Sequence, residues 1–202
     1  PVIWDTANGD RIDLPLEDIE GDISAWGWSA DATRILLYRL HRARSYLYVY
    51  DLARSTLSPV DTPDGTLYNG FFDADGQIIV THSDHAHPAR LLALDTIGKA
   101  SPEVILSLAD EALPVSQPWR SVEFASGGGA IIQAWLATPD AAQFGDGPYP
   151  LLIDAHDGPF DVRTNAWNPE ASAWLDHGFA WMSVNYRGSV SFGREHQLSI
   201  LG

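Results

Sequence analysis

The sequence contains no cysteine. That excludes a disulfide framework, a thiolate metal site and a cysteine nucleophile. Cations are scarce: 12 Lys and Arg stand against 27 Asp and Glu, so the net charge is 12 − 27 = −15. Nucleic-acid binding is driven by Lys and Arg displacing counterions along the phosphates, so this balance argues against a nucleic-acid partner. It argues equally against an anionic membrane surface. No apolar run has the length of a transmembrane helix, and no basic-then-apolar signal opens the chain. A chain without cysteine suits a reducing compartment, so a cytoplasmic location is favoured. A Gly-x-Ser-x-Gly nucleophile elbow is missing as well, because no two glycines stand four positions apart. The chain opens on Pro1 rather than Met, which reads as a piece of something longer.

What remains is a globular composition. The 202 residues are 45% hydrophobic and 19% charged, enough for one large domain or two small ones with a sizeable core. The pattern changes near residue 115. Before it, short apolar runs are separated by Asp, Gly, Pro and Thr turns; after it, strand-like and helix-like patterns alternate. The punctuation at Leu113-Pro114 and Gln117-Pro118 marks the boundary, giving 1–115 and 116–202 as the expected domains.

The first part repeats. Trp28-Ser29-Ala30-Asp31 precedes a strand from Arg34 to Tyr38, and Phe72-Asp73-Ala74-Asp75-Gly76 precedes one from Gln77 to Thr81, an offset of 72 − 28 = 44. A further strand, Tyr46 to Asp51, recurs as Arg90 to Asp95, and 95 − 51 = 44 again. Several short strands per unit of about 40–45 residues is the signature of a propeller blade. The aromatics before the Asp would pack between blades, and the Asp would set a tight turn. About two blades are expected, with residues 4–20 as the tail of an earlier one.

The second part predicts strands at Ser121 to Ala125 and Ile131 to Thr138 around a glycine turn, then a loop from Pro139 to Pro150. Leu151 to Ala155 reads as an apolar strand and predicts burial on both faces. A helix opened by Asn165 or Asn168 runs to His177, with Gly178 as its stop and Pro169 in its first turn. Phe179 to Val184 predicts a second buried strand. Two such strands joined through a helix form a βαβ unit and a parallel sheet.

Three clusters carry polar chemistry. His82-Ser83-Asp84-His85-Ala86-His87 holds three His and one Asp in six residues. Its place between two repeat strands predicts an exposed blade loop; the alternative is a surface zinc site or a propeller mouth. Asp154-Ala155-His156-Asp157-Gly158-Pro159 lies at the carboxyl end of a buried strand, where parallel sheets bind ligands. There a His and glycine-rich backbone can aim donors at an oxyanion, or the His is simply solvated in a turn. Asn185-Tyr186-Arg187-Gly188-Ser189 ends the next buried strand. Arg187 either fixes the loop to neighbouring carbonyls and carboxylates, the preferred reading, or binds a carboxylate or phosphate of a substrate. No metal or cofactor site is indicated.

Together these segments resemble the prolyl oligopeptidase family of serine peptidases, nearest its acylaminoacyl peptidase and dipeptidyl aminopeptidase branches. The likeness rests on the repeats around Phe72-Asp73-Ala74-Asp75-Gly76 and Pro88 to Asp95, and on Val122-Glu123-Phe124 with Gln133 to Pro139 as a first hydrolase hairpin. More specifically, it rests on His156-Asp157-Gly158-Pro159 and Asn185-Tyr186-Arg187-Gly188-Ser189, in that order around a helix. It implies β-propeller blades followed by the N-terminal part of an α/β-hydrolase domain. The implied activity is hydrolysis of short peptides through an acyl-enzyme, without cofactor, with a homo-oligomer left open. It implies that the Asp157 N–H is an oxyanion donor and that His156 supports that loop. Gly158, Pro159, Asn185, Arg187 and Gly188 would shape or line the site. The family's nucleophile, Asp and His fall beyond Gly202, so the chain by itself is expected to be inactive. Two positions depart from the family: Asp157 stands where Gly is usual, and Ser189-Val190-Ser191-Phe192-Gly193 replaces a more glycine-rich stretch. A carboxylic-ester hydrolase and a non-catalytic propeller-based binding protein are the alternatives.

Overall fold

The computed structural model describes residues 1–94, 101–107, 116–158 and 160–201. Asp95, Leu113-Pro114, Pro159 and Gly202 therefore lie outside the described residues. A two-stranded ribbon, β1 (Val2–Trp4) with β2 (Arg11–Asp13), opens the chain. An antiparallel meander follows: β3 (Asp22–Trp28), β4 (Arg34–His41), β5 (Arg44–Asp51) and β6 (Thr56–Val60), paired in chain order. A second meander has β7 (Thr66–Phe72), β8 (Ile78–Asp84), β9 (His87–Leu94) and β10 (Glu103–Ser107), again in chain order. The repeat offset seen in the sequence carries β3 onto β7, since 66 − 22 = 44 and 72 − 28 = 44. These two four-stranded sheets are propeller-like blades.

Side-chain parity explains how they pack. Successive strand residues point to opposite faces, so Leu36 joins Leu47, Leu67, Phe72, Ile78, Val80, Leu92 and Leu94 in the core between the two meanders. Ile35 and Leu37 point the other way, into a cluster with Leu14, Leu16 and Tyr50 under the N-terminal segment. Burying each such side chain contributes roughly 1.5–3 kcal/mol. The Asp turns form as expected. Asp73 Oδ1 accepts from the N–H groups of Asp75 and Gln77, and Asp31 Oδ1 accepts from Ser29 Oγ and from Thr33 N and Oγ1. Those bonds, the Ser29 hydroxyl first, lower the Asp31 carboxyl to about 2. Phe72 packs between the blades with the Arg34 guanidinium 5.0 Å from its ring centroid. Its repeat partner Trp28 does not pack in this way: it is 48% exposed on the outer side of the first blade.

The histidine cluster corrects the loop expectation. β8 runs on to Asp84 and β9 begins at His87, so only His85 and Ala86 form the turn. His82 is wholly buried and its Nε2 bonds the carbonyl of Asp64 at 3.0 Å. A side chain on Gly65 would collide with that ring, the ideal Cβ standing 2.5 Å from His82 Nε2. Among the described residues no group of three or more His, Asp or Glu is placed to hold a metal. The alternation apolar–polar was masked because the polar residue pointing inward is itself a histidine.

The second part is a mixed sheet. β11 (Arg120–Ala125) and β12 (Ile131–Ala137) form a hairpin. The loop after it holds a short helix, α1 (Ala141–Phe144), capped by Asp140 Oδ1. Then come β13 (Leu151–Ala155), α2 (Pro169–Leu175), β14 (Ala180–Asn185) and α3 (Arg194–Leu198). Strand order is β11-β12-β14-β13, with β13 parallel to β14 and α2 between them in sequence. Of the two candidate caps, Asn168 is the one used: its Oδ1 accepts from Glu170 N and Ala171 N. The helix ends at Leu175, with Asp176 as its cap, two residues before the expected His177. β13 is not buried on both faces as its composition predicts. Among the described residues it is the outer strand of the sheet, and one face is open, with Ile153 65% exposed. No described helix is long and apolar enough to cross a membrane.

The two parts meet through specific bonds. Ser191 accepts from Arg42 N at its carbonyl (2.8 Å) and from Ala43 N at its hydroxyl (3.0 Å), while its own N–H donates to Asp22 Oδ2. On the second blade, Thr66 Oγ1 donates to Thr164 Oγ1 and Asn165 O, and Trp167 N donates to Ser83 Oγ.

Candidate functional site

The carboxyl ends of β13 and β14 lie side by side because the strands are parallel, with Ala155 paired to Val184. The two polar segments singled out in the sequence are therefore brought together. His156 and Ser189 are buried, and His156 Nε2 lies 2.8 Å from Ser189 Oγ. The other ring nitrogen, Nδ1, reaches the Asp157 carbonyl at 3.3 Å. A carbonyl can only accept, which makes Nδ1 the protonated nitrogen and leaves Nε2 to accept from the Ser189 hydroxyl. The imidazole stacks on Tyr186, with ring centroids 4.4 Å apart at 19°.

The Tyr186 hydroxyl lies 2.8 Å from the carbonyl of His156 and 3.0 Å from that of Gly158. All three carbonyls of residues 156–158 are thus engaged by side chains. The N–H groups of Asp157 and Gly158 have no hydrogen-bond partner among the described residues. Gly158 has φ of 61°, a left-handed conformation that glycine adopts without steric cost. Turns of this kind gather successive N–H groups into a concavity suited to an anion. The Asp157 side chain is exposed and makes no hydrogen bond or ion pair with any described residue.

Asn185 is fully buried and acts as a clamp. Its Nδ2 donates to Gln133 Oε1 and to the Arg163 carbonyl (2.8 Å), and its Oδ1 accepts from Arg163 N (2.6 Å). It fixes the segment between β13 and α2 onto the sheet. Gly188 is buried and donates its N–H to His196 O at 3.0 Å. Arg187 departs from its expected role: it is exposed and holds no carbonyl or carboxylate among the described residues. The loop is fixed instead by the backbone of Tyr186, whose carbonyl accepts from Ser189 N and lies 3.0 Å from His196 Nε2.

Two side chains beside this site, Arg163 and Ser183, escaped the sequence reading, and a third, Asp154, opens a segment that it singled out. Asp154 receives a bidentate contact from Arg163 (Nε 2.9 Å, Nη2 3.1 Å) and a bond from Ser183 Oγ at 2.9 Å. An acidic residue inside an apolar strand was the available signal. These three line part of a cavity of about 370 Å³, whose aromatic wall includes Trp119, Trp135, Trp167 and Trp181. His156, Asp157, Gly158 and Tyr186 lie outside that cavity. Tyr186 lies in a segment singled out from the sequence, but its contact with a carbonyl thirty positions away was not legible there.

No protein-family model matches the chain. The human acylamino-acid-releasing enzyme is 27% identical over 190 residues, 87% of this chain and 25% of that protein. Dipeptidyl aminopeptidase BIII of Pseudoxanthomonas mexicana is 33% identical over 91 residues, 42% of this chain and 13% of that protein. The solved acylaminoacyl peptidase of Pyrococcus horikoshii superposes with a TM-score of 0.69 at 18% identity, over 92% of this chain and 28% of that one. The chain spans about a quarter of the length of the acylamino-acid-releasing enzymes it matches. In sequence and in fold, then, this chain resembles the peptidases of the prolyl oligopeptidase family.

Proposed function

We propose that the chain is part of a serine-type peptidase acting on short peptides through an acyl-enzyme. Residues 1–115 supply about two blades of a propeller, and 116–202 supply the start of an α/β-hydrolase domain. The observation that carries the reading is the pair of N–H groups at Asp157 and Gly158, without a partner among the described residues, at the carboxyl end of a parallel strand. The Asp157 N–H would donate to the oxyanion of the tetrahedral intermediate, and His156 would hold the turn. Loss of one such donor costs about 10²–10³ in rate. The nucleophile and its acid and base partners would come from outside these residues. The peptidase relatives support the substrate class.

In the longest protein that the gene encodes, a fluorophosphonate probe is expected to label one serine, and aminoacyl-anilides are expected to turn over. Absence of labelling removes the peptidase reading, and turnover of acyl esters alone points to an ester hydrolase. The exposed, unpaired Asp157 carboxylate favours a second reading, a non-catalytic binding protein, because a negative charge beside a developing oxyanion opposes catalysis. Asp157→Gly separates the two. An impaired enzyme gains rate, and a binding protein stays inert.

A further inference from the structure

We infer that Tyr186 is the positioning residue that sets the Asp157–Gly158 turn for anion binding. The inference rests on the proposed oxyanion role of that turn and names the group that creates its geometry. A peptide group is planar, so turning its carbonyl one way turns its N–H the other. The carbonyls of His156 and Gly158 both face the single phenol hydroxyl, at 2.8 and 3.0 Å. One O–H shared between two acceptors ties together the two residues on either side of Asp157. The N–H belonging to the His156 carbonyl is that of Asp157, in the same peptide plane. Holding the first therefore aims the second, and it does so without the hydroxyl touching substrate.

The remainder of Tyr186 is held independently of this contact. Its ring lies flat against His156, and His156 is in turn fixed by Ser189. Its backbone carbonyl is engaged by Ser189 N and His196 Nε2. The hydroxyl is thus presented from a frame that Ser189 and His196 hold without it. Removing the oxygen alone leaves the stack and the backbone bonds in place. The carbonyls of the turn lose their tie to the β14 loop, keeping only the long contact from His156 Nδ1 to Asp157 among the described residues, while the His156 ring stays on Ser189. This is why Tyr186→Phe isolates the positioning effect from folding.

The test uses the longest protein the gene encodes. In Tyr186→Phe, kcat is expected to fall about 10- to 100-fold, a mispositioned donor costing less than a deleted one. KM should stay within about twofold, because the oxyanion forms after substrate binds. Sites titrated by fluorophosphonate should stay equal in number, with the melting temperature little changed. A kcat equal to wild type overturns the inference. So does a loss of activity accounted for by fewer titrated sites, since that is a folding defect. A crystal structure of Tyr186→Phe gives a readout that needs no activity. Rotation or disorder of the 156–158 peptides is expected, and an unmoved turn overturns the inference even if the wild type proves inert. Inertness of the wild type with a displaced turn would instead sink the peptidase reading and leave the positioning role standing.

Discussion

The blades and the mixed sheet use burial for different ends. The blade core is almost wholly aliphatic and aromatic, with Leu36, Ile78, Val80, Leu92 and Leu94 essentially inaccessible. In the mixed sheet and its loops, the buried set includes Gln133, His156, Ser183, Asn185 and Ser189. Apolar burial is non-directional and stabilises whatever packs densely. A buried polar network is directional, since each group must find a partner at the right angle and distance. The first half is built to be stable, and the second to hold particular atoms in particular places. Their meeting surface has the second character: Ser191, Thr66 and Ser83 link the halves through hydrogen bonds.

The sharpest way to break this contrast is to remove apolar volume from each half. Leu36→Ala is expected to cost roughly 2–5 kcal/mol, because the cavity opens in a packed core. Ile153→Ala, on the exposed edge of β13, is expected to cost no more than about 0.5 kcal/mol. Urea midpoints on the same protein measure both, and equal costs would erase the distinction. A somewhat smaller loss, about 2–4 kcal/mol, is expected from Asn185→Ala. It strands Gln133 Oε1 and both backbone groups of Arg163, each worth about 1–3 kcal/mol when left unpaired. A cost below about 1 kcal/mol would mean that the polar half is not held by its network.

The smallest effect is a pH dependence from the one imidazole in the blade core. Burial holds His82 below the ordinary imidazole value. The unfolded chain therefore takes up its proton near the ordinary pKa of about 6.5, before the folded chain does. Stability should be complete above that pH and decline as pH falls through it, until the folded histidine protonates. His41, also lowered chiefly by burial, adds a contribution of the same sign. Denaturation midpoints between about pH 7 and 5.5 should slope less in His82→Gln than in wild type, and identical slopes would show that His82 does not contribute. Asp84 does not oppose this in the same range. Burial alone would raise its carboxyl, but the bonds from His87 and the Ala86 N–H, with the charge of Arg90, outweigh burial and keep it below its ordinary value.

Much of this architecture was legible in one dimension. The 44-residue offset, the turn aspartates and the Asn168-Pro169 helix start are local signals, and each reappears as an element. The failures share a cause. An apolar run such as Leu151 to Ala155 records what a strand can bury, while the layers packed on its faces decide what it does bury, and among the described residues nothing covers Ile153. His82 looked like loop chemistry because polarity was read as exposure, yet its Nε2 found the Asp64 carbonyl from a neighbouring segment. Arg187 looked structural because arginine so often is, and its loop is held by backbone instead.

The sequence by itself determined the repeated meander, the parallel β–α–β unit and the two polar segments that the sheet brings together. These follow from periodicity, capping and turn chemistry, which act over a few residues. Only the tertiary structure decided which groups meet within those segments. Ser189 closes on His156, Tyr186 ties the carbonyls on either side of Asp157, and Asn185 grips the backbone of Arg163. Each of these is a contact of a few ångströms between residues far apart in the chain, set by the register of β13 on β14. A one-residue slip of that register would turn every side chain to the opposite face and dismantle the site without altering its composition.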